Sequence, residues 1–435
     1  LQKDALTEAC GGEASKREVA GRIMSDLYTS IRACRVCGSA NLHQVLYLGE
    51  TPLADHLLTE QSLNEPEPHC PLTVVFCPDC SLMQIIETVD PKVLFGSDYP
   101  YYSSVSPMLL DHFRGSVEEI LSRRTLGAQS LVVELASNDG YLLRNYVTRG
   151  VPVLGIDPAT GPAQRAREAG INTLNDFFTI ALAEKLAGEG VVADVIHANN
   201  VLAHVSDTNG FVAGIARLLK DDGEVVIECP YLRDLIEHCE FDTIYHQHLC
   251  YFSIKAIQML FQRHGLYLNR VLRTSIHGGS LRLFLAKRHA PDPSVAQVLG
   301  EERATGMHDV AYYREFAGRV TALRDKLRGI LDELHAQGRT VAGYGAAAKG
   351  TTMMSFAGID RSDIGYIVDR SEFKQGRYMP GNHVPIKSVE LLASDRPEYV
   401  LLLSWNFAEE IIRQQAEYRA RGGKFIVPVP EPRIV

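Results

Sequence analysis

Along residues 31–95 the apolar positions come in short alternating runs, "HQVLYLG" and "LTVVF", between two C-x-x-C turns. That is a loop-rich β pattern. From about residue 105 the period changes. "SPMLLDHFRGSVEEILSRR" repeats its apolar residues at helical spacing, and "SLVVELASNDG" is an apolar strand breaking into a polar turn that ends in glycine. "YLLRNYVTRG" reads as a helix and "PVLGIDPATG" as a second strand; "ADVIHANNVLAHV", "GEVVIECPY" and "GLYLNRVLRTS" continue the alternation. Repeated β-α-β units predict a mainly parallel sheet with helices on both faces, binding ligands where the strands end. Residues 296–338 are helical and charged, a connecting helix or helix pair. The β-α rhythm then restarts in "RTVAGYGAAAKGTTMMSFAG", "EYVLLLSWNFAEEIIRQQ" and "KFIVPVP". The expected fold class is α/β, with a Rossmann-like central domain at 96–295 and a second, smaller α/β domain at 296–435.

Composition narrows the function. The chain has 435 residues, 46% of them apolar, and a net charge of −9. This is enough apolar material for two or three cores. The acidic balance, without a Lys/Arg stripe interleaved with aromatics, argues against a zinc ribbon gripping nucleic acid. There is no long apolar run to span a bilayer. Residues 1–30 are polar, lack a signal-peptide centre and read as a flexible leader in which Met24 is an alternative start. A cytoplasmic monomer is expected. Four of the nine cysteines form two pairs, Cys34/Cys37 and Cys77/Cys80. In a reducing compartment this pattern suits a four-thiolate, structural Zn²⁺ site without an open position for chemistry.

In "VVELASNDGYLL" a strand ends at Glu134, small residues Ser137 and Asn138 follow, and Gly140 allows close backbone approach. The next strand closes on Asp157, placed to accept both hydroxyls of a ribose. The turn departs from G-x-G-x-x-G, because Glu134 and Ala136 stand where a pyrophosphate wants bare amides. NAD is therefore disfavoured, and S-adenosylmethionine (SAM), which has adenosine without phosphate, is favoured. In "NDFF", Asp176 and Phe177 could hold adenine between an acid and an aromatic face. Farther on, "GYGAAAKG" with Tyr344 and Lys349 is a strand-to-helix turn suited to a diphosphate, or to close helix–sheet packing.

Taken in order, the C-x-x-C pairs, "ELASNDGYLL", "ANNVLAHV", "FDTIYHQHLCYFS", "HGGSLR" and "GYGAAAKGTTMM" resemble the SAM-dependent sugar C-3′-methyltransferases of deoxysugar biosynthesis, those of the D-tetronitrose pathway above all. The resemblance spans residues 30–435. It implies a zinc-binding module at 31–95, a SAM domain, and a C-terminal domain that helps hold a dTDP-sugar. The substrate it implies is a dTDP-linked 4-keto-6-deoxysugar, 3-amino in the tetronitrose case. A ketone at C-4′ acidifies the C-3′ hydrogen; a base removes it, and the enolate takes the sulfonium methyl. His248 is the expected base, with Tyr245 as orienter or oxyanion donor. His204, with Asn199 and Asn200, is expected over the SAM methyl. Tyr99 is a further catalytic candidate, and Tyr101, Tyr102 and Ser104 are expected to line the nucleotide site.

The family pattern at 245–248 is usually Tyr-His-Glu-His, whereas here the third residue is Gln247. An amide keeps the shape and most hydrogen bonds but cannot move a proton at neutral pH. Activity should be badly impaired if the carboxylate is the base, and modestly so if it only orients or charges His248. A metal site at His246 and His248 is the weaker reading, since no third ligand is nearby. Other readings are methylation of an oxygen or nitrogen on another small molecule, or a nicotinamide oxidoreductase using "GYGAAAKG".

Overall fold

The computed structural model describes residues 27–95 and 102–435. Tyr99, Tyr101 and most of the 1–30 leader lie outside the described residues.

The N-terminal module is built from β1 (Tyr28–Ser30), β2 (His43–Pro52), β3 (His69–Cys77), β4 (Leu82–Ile85) and β5 (Glu87–Val89). β2, β3 and β4 form an antiparallel meander, and β1 pairs with β5. The central domain supplies β6 (Val132–Leu135), β7 (Val153–Ile156), β8 (Thr173–Leu174), β9 (Ala193–Asn199), β10 (Leu219–Pro230), β11 (Cys250–Tyr251), β12 (Tyr267–Thr274) and β13 (Ser280–Ala286). Seven of these form one sheet in the order β12-β13-β10-β9-β6-β7-β8. β6 to β10 are parallel as the β-α alternation predicts, and β13 runs antiparallel between β10 and β12. The C-terminal sheet, order β16-β15-β14-β17-β18-β19, comprises β14 (Val341–Tyr344), β15 (Ile367–Val368), β16 (Ile386–Lys387), β17 (Tyr399–Leu402), β18 (Lys424–Val427) and β19 (Arg433–Ile434).

β11 joins the module rather than its own domain. It pairs with β4, placing Cys250 opposite Gln84 and Tyr251 opposite Met83. The long helix Val310–Ala336 buries Tyr313, Phe316, Val320, Leu323, Leu327, Leu331 and Leu334, a stripe at three- and four-residue spacing. Tyr313 stacks on Phe76 of β3 at 3.8 Å between ring centres. The module is thus held by both other domains.

One element differs from the sequence reading, and one was left open by it. "YLLRNYVTRG" is α-helical only over Arg144–Val147. The segment 240–253 is a 3-10 turn at Phe241–Thr243, a loop, and then only two strand residues. His248 N donates to Tyr245 O at 2.8 Å, closing a turn where a strand would need that amide in a ladder.

Candidate active site and zinc centre

The sulfurs of Cys34, Cys37, Cys77 and Cys80 lie within 4.8 Å of one another. Cys34–Cys80 and Cys37–Cys77 are each 3.5 Å apart, too long for disulfides. A regular zinc tetrahedron with ~2.3 Å bonds has sulfur–sulfur edges of about 3.8 Å, so the four thiolates fit Zn²⁺. Each pair sits on a turn followed by a left-handed residue, Gly38 at φ 75° and Ser81 at φ 61°. Hydrogen bonds from the Cys77 and Cys80 thiols pull Cys34 down, favouring a thiolate in the cluster. The knuckles also dock on the central domain. Thr208 Oγ1 and Asn209 Nδ2 donate to Arg35 O at 2.9 and 2.7 Å, and Ser253 Oγ donates to Ser81 O at 2.8 Å.

At the end of β6 the chain turns through Ala136 (φ 56°), Asn138 (φ 49°) and Gly140 (φ 76°). A Cβ on Gly140 would meet Ile171 Cγ1 at 2.8 Å, so packing as well as φ requires glycine here. Asp157 Oδ2 accepts from Asn138 N at 2.8 Å and Oδ1 from Ala159 N at 2.9 Å, leaving a lone pair on each oxygen for a hydroxyl. Burial raises Asp157 to about 6 and pushes Glu134 well above the ordinary carboxylate range. Asn199 Nδ2 lies 3.5 Å from Glu134 Oε1. Asn200 (φ 52°) donates its N–H to Glu228 O at 2.7 Å. Acidic Asp139 and Asp157 disfavour a pyrophosphate, whereas the uncharged adenosyl part of SAM suits them. Asp176 is exposed beside the half-buried Phe177, and its N–H donates to Asp157 O at 3.1 Å.

The loop after the 3-10 turn carries Tyr245, His246, Gln247 and His248. His248 Nδ1 is 2.7 Å from Thr243 O, so it carries the hydrogen and Nε2 is the acceptor. The Tyr245 hydroxyl is 3.2 Å from that Nε2, and the two rings are 4.2 Å apart. His204 donates from Nδ1 to Gln247 O at 2.6 Å and lies 4.9 Å from the His248 ring. Burial lowers His204 below the ordinary imidazole value, although the carbonyls of Gln247 and Asn200 oppose it. His246 turns away, bonding Pro71 O at 2.9 Å, so the two histidines do not converge on a metal.

In the C-terminal domain the "GYGAAAKG" turn leads from β14 into the helix Ala348–Ala357. Ala346 N donates to Asp369 Oδ2 at 2.7 Å. Lys349 Nζ sits 4.1 Å from the centre of the Trp405 ring. It is attracted to Asp242 and Glu240, while burial lowers it. Asp242 accepts from Trp405 Nε1 at 2.7 Å, so this lysine joins the C-terminal domain to the start of the histidine loop.

Three family models match: a zinc binding domain at residues 34–95, a methyltransferase domain at 111–271 and a C-methyltransferase C-terminal domain at 275–430. The C-methyltransferase NovU of Streptomyces niveus is 38% identical over 415 residues, covering 95% of this chain and 99% of the relative. This chain belongs to the C-methyltransferase family. A ubiquinone biosynthesis O-methyltransferase of Bartonella tribocorum is 31% identical over 21% of the chain and 38% of the relative. Among solved structures, the magnesium protoporphyrin IX methyltransferase of Synechocystis with bound SAH covers 40% of this chain and 82% of its own, at 14% identity and TM-score 0.33.

As a SAM-dependent C-methyltransferase, the protein uses Glu134, Ser137, Asn138, Gly140 and Asp157 to frame one loop, whose acidic surround fits SAM. Tyr102 and Ser104 pack beside that loop. Ser104 Oγ donates to Asp139 Oδ2 at 2.5 Å, and Arg165 lies 5.1 Å from the Tyr102 ring centre. Tyr344 is 4% exposed and packs among Val368, Val400, Leu402 and Phe425. Its alternation along β14 turns it into the sheet's core, so it is not a surface group available to a ligand. The sequence reading missed Asp242 and Trp405, which meet across the two domains.

Proposed function

We propose that this C-methyltransferase transfers the methyl of SAM to C-3′ of a dTDP-linked 4-keto-6-deoxysugar bearing a 3-amino group. The carrying observation is the tautomer of His248, hydrogen on Nδ1 toward Thr243 O and lone pair on Nε2 toward Tyr245. Nε2 takes the C-3′ proton, and the C–H electron pair moves into the C-4′ carbonyl to give the enolate. The Tyr245 hydroxyl, released from Nε2 as the imidazole takes up the proton, donates to the C-4′ oxygen. SAM supplies the electrophilic methyl; a carbon–carbon bond forms at C-3′ and S-adenosylhomocysteine leaves. His204, kept neutral by burial, packs beside the His248 ring.

The test is incubation with methyl-¹³C-labelled SAM and a dTDP-3-amino-4-keto-trideoxyhexose. The expected product is one methylene heavier, with the label on a quaternary C-3′ by NMR. Label on oxygen or nitrogen would overturn the reading.

A further inference from the structure

The first zinc knuckle carries a buried arginine between its two cysteines. Arg35 is 8% exposed, and its head group lies where the chain bends at Ile86, between β4 and β5. Nη1 donates to Ile85 O at 2.5 Å and to Gln84 Oε1 at 3.3 Å. Nη2 donates to Thr88 Oγ1 at 2.7 Å and to Glu87 O at 3.4 Å. Buried carbonyls at a strand break need donors, and a planar guanidinium serves both sides of the break at once, which a lysine cannot. These acceptors are all neutral oxygens; the Glu87 carboxyl turns instead to Thr73 N at 3.0 Å. The charge that matches Arg35 is the knuckle itself, since four thiolates on Zn²⁺ leave two negative units. The arginine is also fixed at its backbone, where its carbonyl accepts from Thr208 and Asn209 of the central domain.

Ile85 carries this grip onward. Its N–H donates to Leu249 O at 3.1 Å, and Leu249 N donates to Ala203 O at 2.7 Å. Leu249 follows His248, and Ala203 precedes His204. Alongside, Gln84 faces Cys250 and Met83 faces Tyr251 across the β4–β11 pairing. Tyr251 Oη reaches back to donate to His248 O at 2.9 Å. Three hydrogen bonds in series thus lead from the turn between two zinc ligands to the neighbours of both imidazoles. The start of the loop is held from elsewhere, by Thr352 Oγ1 of the C-terminal domain donating to Ile244 O at 3.0 Å.

We infer that Arg35 is a positioning residue for His248, setting the register of the histidine loop from the zinc knuckle through Ile85 and Leu249. Four thiolates leave the metal no open position, so the module reaches the chemistry through geometry. Without the guanidinium, Ile85 O loses its donor and the end of β4 is free to shift against Leu249. His248 Nδ1 then no longer stays aligned on Thr243 O, and the tautomer with hydrogen on Nε2 becomes populated. That His248 is the base rests on the proposed function; that Arg35 places its ring does not.

The experiment uses full-length, zinc-loaded protein with ¹⁵N-labelled histidine at about pH 8, where an ordinary imidazole is neutral. The ring signal of His248 is identified by its loss in His248→Asn. The starting chain should show one tautomer, with hydrogen on Nδ1. Arg35→Gln should show two, with the zinc content and SAM affinity of the starting chain. Its kcat should fall at least about tenfold, since a misplacement of about 1 Å can cost ~10²-fold. Arg35→Lys keeps the charge without the fork and should fall between the two. An unchanged His248 signal in Arg35→Gln, or in Arg35→Lys if only that variant folds, overturns the inference. So does zinc lost in step with the tautomer, which would make Arg35 a support of the metal site alone. Mixed tautomers with unchanged turnover would count against the proposed function and leave the positioning role standing.

Discussion

Replacing His248 by asparagine isolates the proton-transfer step. The asparagine amide can still donate to Thr243 O, where Nδ1 now sits at 2.7 Å, so the loop keeps that anchor. What disappears is the basic Nε2 beside the Tyr245 hydroxyl. A positioned general base contributes ~10²–10⁴ in rate, which is about 3–5 kcal/mol of barrier. The expected result is a loss of that size in kcat/KM with SAM affinity nearly intact, because the SAM loop lies at Glu134–Gly140 and Asp157. Tyr245→Phe should cost less, about 1 kcal/mol for one hydrogen bond. If Tyr245 acts through His248, its removal should cost almost nothing more once His248 is gone. Product formation by mass spectrometry and SAM binding by calorimetry supply both numbers, on this chain and on a Gln247→Glu background. Unchanged kcat/KM in His248→Asn would remove this imidazole from the base role.

Other outcomes can be checked independently. The four thiolates should hold about one zinc per chain, and Cys77→Ser should release it and destabilise the module, seen by metal analysis and thermal melting. SAM affinity should fall as pH drops through about 6, because a protonated Asp157 loses acceptor capacity toward ribose hydroxyls. The sign for stability is opposite. A raised carboxyl binds its proton more tightly in the folded state, so Asp157 contributes stability at low pH that is lost as pH rises from about 4 to about 6. Calorimetric SAM titrations and denaturant melts across that window separate the two trends. Lys349→Met strands the buried Asp242 and Glu240 without their facing cation. It should cost about 3 kcal/mol in urea unfolding, with Lys349→Arg recovering most of it; an unchanged midpoint would show that the lysine is not their counter-charge.

Local chemistry was readable in the sequence because it is written in contiguous residues. The two C-x-x-C turns, the strand-turn-helix around Gly140 and the acid at Asp157 each need only a few neighbours in order. The apolar stripe of Val310–Ala336 likewise declares its buried face by spacing alone. Tertiary structure decided the rest. The spacing of the rings in the histidine loop does not say where they point; main-chain carbonyls at Thr243, Gln247 and Pro71 claim ring nitrogens of His248, His204 and His246. Tyr344 read as a ligand contact until its side of β14 was known. Nothing in the order of residues brings Thr351 to Ala54, or Lys349 to Asp242. Those meetings arise because helix Ala348–Ala357 packs on two loops far apart in the chain, and burial there makes each charge seek a partner that periodicity cannot name.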